Sequence, residues 1–534
     1  MSLLPRRREA PSRTDVLVGG VACVIVLGLA VTAPSDVGIL LAGAAVGALV
    51  GLVALGDPLL ALVVVFAASF GRLAQKEIIS TEMLTPALGL LVISYALAIK
   101  RGEKKPPTLG VVEWLMAAYL AWNILSWMLP HELPPIDPVT GADQDVWRWI
   151  FTGTIVPFAA YILAKGVADD ERGVRFVLWA TVVFSAYSAW VSILQFHGPQ
   201  SLVWPRYIIT DPNWDNRANG VFNQPVVNGL ILDMGFLACV FLATRPGVKR
   251  WVRLALYGVA FASAYSVYLT HTRVSMLALV VAIGMGIVFA RGWRRPFVVS
   301  ALAGLAGVAA NASTFFSSDR ASGGVGSSYE VYDRLNIMAT SWQAIQEHPL
   351  LGVGIARFLA YNTWYHVQWS QHVEWNRGYN LISHENEIGI AAELGIPGAL
   401  LWIGVVVCVL YLMWRALREL PANEFLGQPL ALLGAIAMIT LVVNGLTVDL
   451  RQLDFATFVP FLYAGMVVIQ LERHRARGVR PRPGVPGSGL PGGMSGDDQR
   501  AWWDEHDRPH AEAAALPGTR PPDGGPERRL QPSR

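Results

Sequence analysis

The sequence predicts an all-α, polytopic membrane protein. Hydrophobic residues make up 53% of its 534 positions and charged residues only 15%. The apolar residues fall in blocks close to the ~17–25 residues that a helix needs to cross a bilayer, and Lys and Arg recur at alternate turns between those blocks. Spans are expected near 15–33, 37–55, 58–71, 82–99, 110–129, 149–164, 175–195, 227–244, 253–270, 274–290, 297–312, 393–414, 429–446 and 455–471, which gives about 12–14 transmembrane helices.

The basic residues orient these spans. Arg6, Arg7 and Arg8 precede the first, Lys100, Arg101, Lys104 and Lys105 follow the fourth, and Lys165, Arg172 and Arg175 flank the turn after the sixth. Arg245, Lys249, Arg250 and Arg253 come after the eighth, Arg291, Arg294 and Arg295 after the tenth, and Arg415 and Arg418 after the twelfth. All of them fall inside if the N-terminus is inside, as the retention of positive charge in the cytoplasm requires. The expected organisation is a cytoplasmic N-terminus at 1–14, a transmembrane domain at 15–472 and a disordered cytoplasmic tail at 473–534, rich in Pro, Gly and Arg. The segments 130–148, 196–226, 271–273, 313–392 and 447–454 then face the periplasm or the cell exterior, with 313–392 as one large loop. The net charge of +3 is mostly this topological signal, so no nucleic-acid partner is implied. Cys23, Cys239 and Cys408 each sit in a different apolar span, which excludes a disulfide framework or a CxxC metal site.

Ionisable groups on the outer side of such a bundle are functional candidates. Arg273, in the short outer turn Thr270-His271-Thr272-Arg273, is either an interfacial snorkelling residue or a site residue. The large loop adds Arg320, Arg334, Arg357 and Arg377, together with His348, His366, His372 and His384. Residues 329–347 are expected to form an amphipathic helix with Leu335, Met338, Trp342 and Ile345 on its apolar face, and Arg334 near its start. Another helix is expected from 386, with His384 and Glu385 just before its first turn and Ser383 as cap. Guanidinium groups suit phosphate oxygens. A histidine beside such cations tends to be neutral and can accept a proton from a sugar hydroxyl.

Tyr361, Trp364, Tyr365, Trp369, Trp375 and Tyr379 read either as sugar-stacking faces or as interface anchors. The outer segment with Trp204, Tyr207, Asp211, Trp214, Asp215 and Arg217 is a further part of the same mouth. Asp233, inside the eighth span, reads either as a helix-helix hydrogen-bonding residue or as one that handles substrate. His366, His372 and His384 match no compact metal motif, so no metal and no cofactor are expected.

Three features in chain order resemble the O-antigen ligase and O-antigen polymerase superfamily of bacterial membrane glycosyltransferases. They are Thr272-Arg273, Arg334 leading to the HPLLGVG run at 348–354, and His384-Glu385-Asn386 followed by Glu393-Leu394-Gly395. The resemblance covers about 220–470 and implies a multi-pass protein of the bacterial inner membrane, with its active site facing the periplasm or cell exterior. It further implies metal-independent, inverting transfer of a glycan from an undecaprenyl-diphosphate carrier to a hydroxyl of a glycan or lipid-linked acceptor. Arg273 and Arg334 would hold the diphosphate and His384 would assist the hydroxyl, with Arg357, Glu385 and Asn386 as further substrate-binding candidates. The family commonly has His-Asn where Glu385 intervenes here, so Glu385 or Glu387 can share the base role. It frequently has Ser-Arg where this chain has Thr-Arg. Polymerase and ligase both remain open, and the alternative reading is a transporter or flippase of lipid-linked sugars.

Overall fold

The computed structural model describes residues 50–78, 82–214, 216–319 and 322–479. The predicted span 15–33, most of the span 37–55 and the region beyond 479 lie outside the described residues. Helices follow in the order α1 (Pro58–Phe70), α2 (Arg72–Ile78), α3 (Leu84–Lys100), α4 (Val111–Met128), α5 (Val146–Val167), α6 (Glu171–His197), α7 (Pro225–Ala243) and α8 (Arg250–Leu269). They continue through α9 (Arg273–Phe289), α10 (Arg295–Ala310), α11 (Tyr329–Glu347), α12 (Phe358–Trp364), α13 (Asn386–Glu419), α14 (Gln428–Gly445) and α15 (Asp454–Val479). Eight of these are long and apolar enough to cross a membrane: α4 to α8 and α13 to α15. Four shorter apolar helices, α1, α3, α9 and α10, coincide with the remaining predicted spans. The protein is an all-α, polytopic membrane protein.

Helix α7 is buried along its whole length. It is apolar all round, as a helix enclosed by others must be, and it packs against α6, α8, α9 and α14. Small residues let those neighbours approach: a side chain at Gly229 would meet Ser275, and one at Gly235 would meet Ser185. Asn228 ties α7 to α6 through Ser188 and Ser192 and reaches the Ala218 carbonyl. Asp233 lies in the same helix, fully buried, with neither carboxyl oxygen hydrogen-bonded among the described residues.

Ion pairs gather at the two ends of the bundle. At one end Lys165 meets Glu113 and Glu472 at 2.5 and 2.7 Å, and Arg475 meets Glu419 at 2.7 Å. Helix α15 runs to Val479. Its polar residues Glu472, Arg473 and Arg475 continue the helix because they find charged partners on neighbouring turns. Residues 313–392 cap the other end.

The cap is joined to the bundle where α13 breaks. Gly395 adopts φ +70°, and Pro397 has no N–H to offer the Glu393 carbonyl. The break frees backbone groups that must be satisfied within the protein. The HPLLGVG run supplies the partners: Val353 N donates to Ala392 O and Gly354 N to Glu393 O, both at 2.9 Å, while Ile396 N donates to Pro349 O at 2.8 Å. Trp122 Nε1 donates to Leu394 O at 2.8 Å. The sequence motifs at 348–354 and 393–395 are thus two halves of one backbone joint.

Helix α11 forms where its periodicity predicts, but on a different face. Its buried residues are Asn336, Ile337, Thr340, Ser341 and Ala344, whereas Trp342 is 60% exposed. Asn336 explains the rotation. Its amide donates to the carbonyls of Glu374 and Arg377 and accepts from Trp369 N, so the loop 369–377 covers a polar face. Ser383 does not cap α13; its hydroxyl donates to the Glu385 carbonyl at 3.0 Å.

A Cβ at Gly395 would lie 2.3 Å from Leu350 O on a backbone that L-residues avoid. Gly395→Ala is expected to destabilise the protein by about 1–3 kcal/mol, read as a lower thermal midpoint in detergent, whereas Gly404→Ala, in more open space of the same helix, leaves it near wild type.

Candidate functional site

Five separate segments of the chain converge on one cavity of about 220 Å³ at the capped end. Trp214, Arg217 and Gln224 come from the segment before α7, Thr272 and Arg273 from the turn into α9, and Glu330, Asp333 and Arg334 from α11. Ser383 and His384 come from the approach to α13, and Thr447, Val448 and Asp449 from the turn after α14. Arg273, Arg334 and His384, more than 100 positions apart at the extremes, therefore share one wall. Among the described residues no three His, Cys, Asp or Glu side chains cluster as a metal site.

Each arginine is aimed by local structure. The turn before α9 is tightened by Thr270, whose hydroxyl accepts from Thr272 N at 3.2 Å, and by His271 at φ +45°. Arg217 braces that turn, donating from Nε to Thr270 O at 3.1 Å and from Nη2 to the Thr272 hydroxyl at 2.8 Å, with its guanidinium 5.1 Å from the Trp214 ring centre. The threonine of the Thr-Arg pair thus has a use: it links two arginines. Arg273 donates to Ser327 O at 2.6 Å and lies 3.6 Å from the Glu330 carboxylate. Arg334 projects from α11 one residue after Asp333, which Gly378 N and Arg377 hold at 3.2 and 3.7 Å.

His384 Nδ1 is 3.0 Å from Ile382 O. A carbonyl only accepts, so Nδ1 carries the proton and Nε2 is left as the acceptor. Burial lowers the proton affinity of this imidazole and Arg334 lowers it further, against the Ile382 carbonyl and the carboxylates of Asp449 and Asp333. At neutral pH the ring is neutral and can take a proton. Glu385 does not line the cavity. Burial pushes its carboxyl up to about 7, with Arg334 opposing.

The remaining candidates sit elsewhere. Arg357 is outside the cavity lining; it is buried and donates to Leu133 O at 2.9 Å and Ile355 O at 3.0 Å, pinning segment 130–148 to the cap. Asn386 opens α13 and accepts from Leu450 N at 3.2 Å, while Glu387 receives the Asn386 amide and Trp402 Nε1. His366 spends both ring nitrogens on Asn362 and the Trp375 carbonyl. Asp233 lies outside the cavity lining, and Asp215 and Arg320 lie outside the described residues.

Sequence reasoning did not single out Asp449 and Arg451. Arg451 is 2% exposed and donates to both Asp449 oxygens, at 2.9 and 2.5 Å, and to Glu393 at 2.8 Å. The signal was present in the run Asp449-Leu450-Arg451, charged residues in a short turn between two apolar spans.

Residues 258–403 match the family model described as O-antigen ligase. That stretch is similar to an O-antigen ligase domain. No curated protein matches the chain. The O-antigen ligase match runs from α8 into α13 and includes Arg273, Arg334, His384 and Glu393, while Arg217, Asp449 and Arg451 lie outside it. The match supports an enzyme of glycosyltransferase type acting on lipid-linked glycan in a membrane.

Glu385 yields a pH prediction. Its folded pKa of about 7 exceeds the ordinary carboxyl value of 4.5, so its contribution to stability is full below about 4.5 and is lost as pH rises through about 7. Thermal midpoints of wild type and Glu385→Gln measured across that window are expected to diverge as pH rises, with the wild type falling and the variant flat.

Proposed function

We propose that this protein transfers a glycan from an undecaprenyl-diphosphate carrier to an acceptor hydroxyl on the extracytoplasmic side, with inversion and without a divalent cation. The observation that supports this best is the convergence of Arg217, Arg273 and Arg334 with a neutral His384 in one small cavity. A volume of about 220 Å³ is below the ~300–1,000 Å³ of sites that enclose a whole small ligand. It suits a diphosphate and the reacting sugar, with lipid and remaining glycan outside.

The steps follow from the charges. His384 Nε2 accepts the proton of the acceptor hydroxyl, and the oxygen attacks the anomeric carbon from the side opposite the diphosphate. The bond between that carbon and the phosphate oxygen breaks, leaving both electrons on the diphosphate. Negative charge on the leaving group grows along this path, so fixed guanidinium groups stabilise the transition state more than the ground state. Three permanent cations can supply what a metal ion supplies elsewhere. Glu330, bound to Arg273 in the protein as it stands, would yield that guanidinium to phosphate oxygens.

The test is turnover of a lipid-diphosphate glycan by purified protein in nanodiscs, with EDTA present throughout. Arg273→Ala and Arg334→Ala are each expected to lose roughly 10²–10³-fold in kcat, and His384→Ala roughly 10²–10⁴-fold. Full turnover by Arg273→Ala and His384→Ala would overturn the mechanism. Movement of the intact lipid-linked glycan across the bilayer, with no glycosidic bond broken, would replace it with a flippase. A ladder of product lengths identifies a polymerase and a single addition a ligase.

A further inference from the structure

Arg451 is the most completely engaged charge at the cavity end, and no step of the transfer uses it. Its guanidinium reaches two carboxylates on different elements: Nε and Nη2 hold Asp449, and Nη1 holds Glu393 on α13. The group lies 4.8 Å from the Trp149 ring centre, and the Arg451 carbonyl accepts from the Thr152 hydroxyl at 2.7 Å. Gly153 makes that approach possible, since a Cβ there would sit 2.7 Å from Arg451 Cβ. The other Glu393 oxygen accepts from Phe358 N at 3.0 Å. Arg451, through its side chain, its carbonyl and Glu393, therefore joins the π-helical turn of α5, the break in α13, the start of α12 and the turn 447–453.

We propose that Arg451 is a positioning residue for the transfer, holding Asp449 in the cavity wall at a fixed distance and charge from His384. The proposal rests on the function set out above. Asp449 is both a ligand of Arg451 and part of the cavity lining. The next residue, Leu450, donates its N–H to Asn386, two positions beyond His384, so the two segments are tied by backbone as well as by charge. When His384 takes the acceptor proton, a carboxylate at Asp449 stabilises the imidazolium. Arg451 limits that effect by sharing the negative charge, which keeps the imidazole neutral before the reaction.

The charged and titratable groups around this pair are few. His384 faces Arg334 and Asp333 from α11, Asp449 from the turn after α14, and Glu385 in its own segment; Arg217, Arg273 and Glu330 share the cavity. Arg451 faces Asp449, Glu393 and the phenol of Tyr119 on α4. A lysine at 451 keeps the charge but presents one ammonium where the guanidinium fork binds two carboxylates. A glutamine at 393 keeps an acceptor for Phe358 N and leaves Arg451 wholly to Asp449.

These two changes act in opposite directions. Arg451→Lys leaves Asp449 more negative toward His384, which raises its proton affinity and moves the acid limb of the kcat profile to higher pH. Glu393→Gln makes Asp449 less negative and moves that limb to lower pH. In nanodiscs with an undecaprenyl-diphosphate-linked glycan as donor, kcat at neutral pH is expected to fall about tenfold or more for Arg451→Lys, with donor KM within about twofold for both variants. A merely structural role would lower yield and thermal midpoint while leaving the pH profile in place. Profiles that overlay the wild type in both variants, or a change confined to donor KM, would overturn the proposal. If Arg451→Lys does not fold, the Glu393→Gln limb decides the outcome. Absence of transfer by the wild type would sink the underlying function instead, and is read separately.

Discussion

Backbone groups released by the break in α13 must be paired inside the protein, because lipid offers no partner. That constraint organises the whole cavity end. Gly395 and Pro397 open the helix, the 349–354 backbone closes it again with three hydrogen bonds, and the cap is thereby fixed to the bundle. His384 stands two residues before α13 and Arg334 projects from α11, which packs against α13. Their placement follows from this joint. Gly352, at φ +67° and with its missing Cβ pointing at the Glu393 backbone, is the matching half of the contact.

The second support is ionic. Burying one guanidinium costs several kcal/mol, and Arg451 offsets this with two carboxylates whose remaining lone pairs are also used. Breaking such a pair by removing one partner typically costs about 3–5 kcal/mol, since the other charge is left in low dielectric. Asp449 shows how structure and chemistry share a residue here: it is held by Arg451 and lines the cavity together with the arginines. The cavity is consequently zoned, with guanidinium groups from three segments and carboxylates at Glu330, Asp333 and Asp449. A site that must stabilise a departing anion and a transient imidazolium needs both signs of charge within a few ångströms.

Much of this was legible in the sequence, and for physical reasons. Apolar block length predicts where the long helices fall, because the bilayer sets that length. Arg273, Arg334 and His384 stood out as ionisable groups on the side where charge is sparse. The orientation of α11 was misread because Asn336, a polar residue, is the one that packs, and hydrophobic periodicity is blind to a buried amide paired with loop carbonyls. Arg357 looked like its neighbours in composition, yet one of its partners is the carbonyl of Leu133, more than 200 residues earlier. Asp449 and Arg451 were passed over because their meaning lies in a contact with Glu393, 58 positions away, which no local pattern encodes.

The central claim is that the arginine-lined cavity receives the diphosphate of a lipid carrier. The most direct measurement is a cryo-electron microscopy structure of the full chain in nanodiscs with undecaprenyl diphosphate bound. The expected result is phosphate density within hydrogen-bond distance of at least two of Arg217, Arg273 and Arg334, with Glu330 displaced from Arg273. Phosphate density elsewhere, with the Arg273–Glu330 contact intact and the cavity unoccupied, would contradict it.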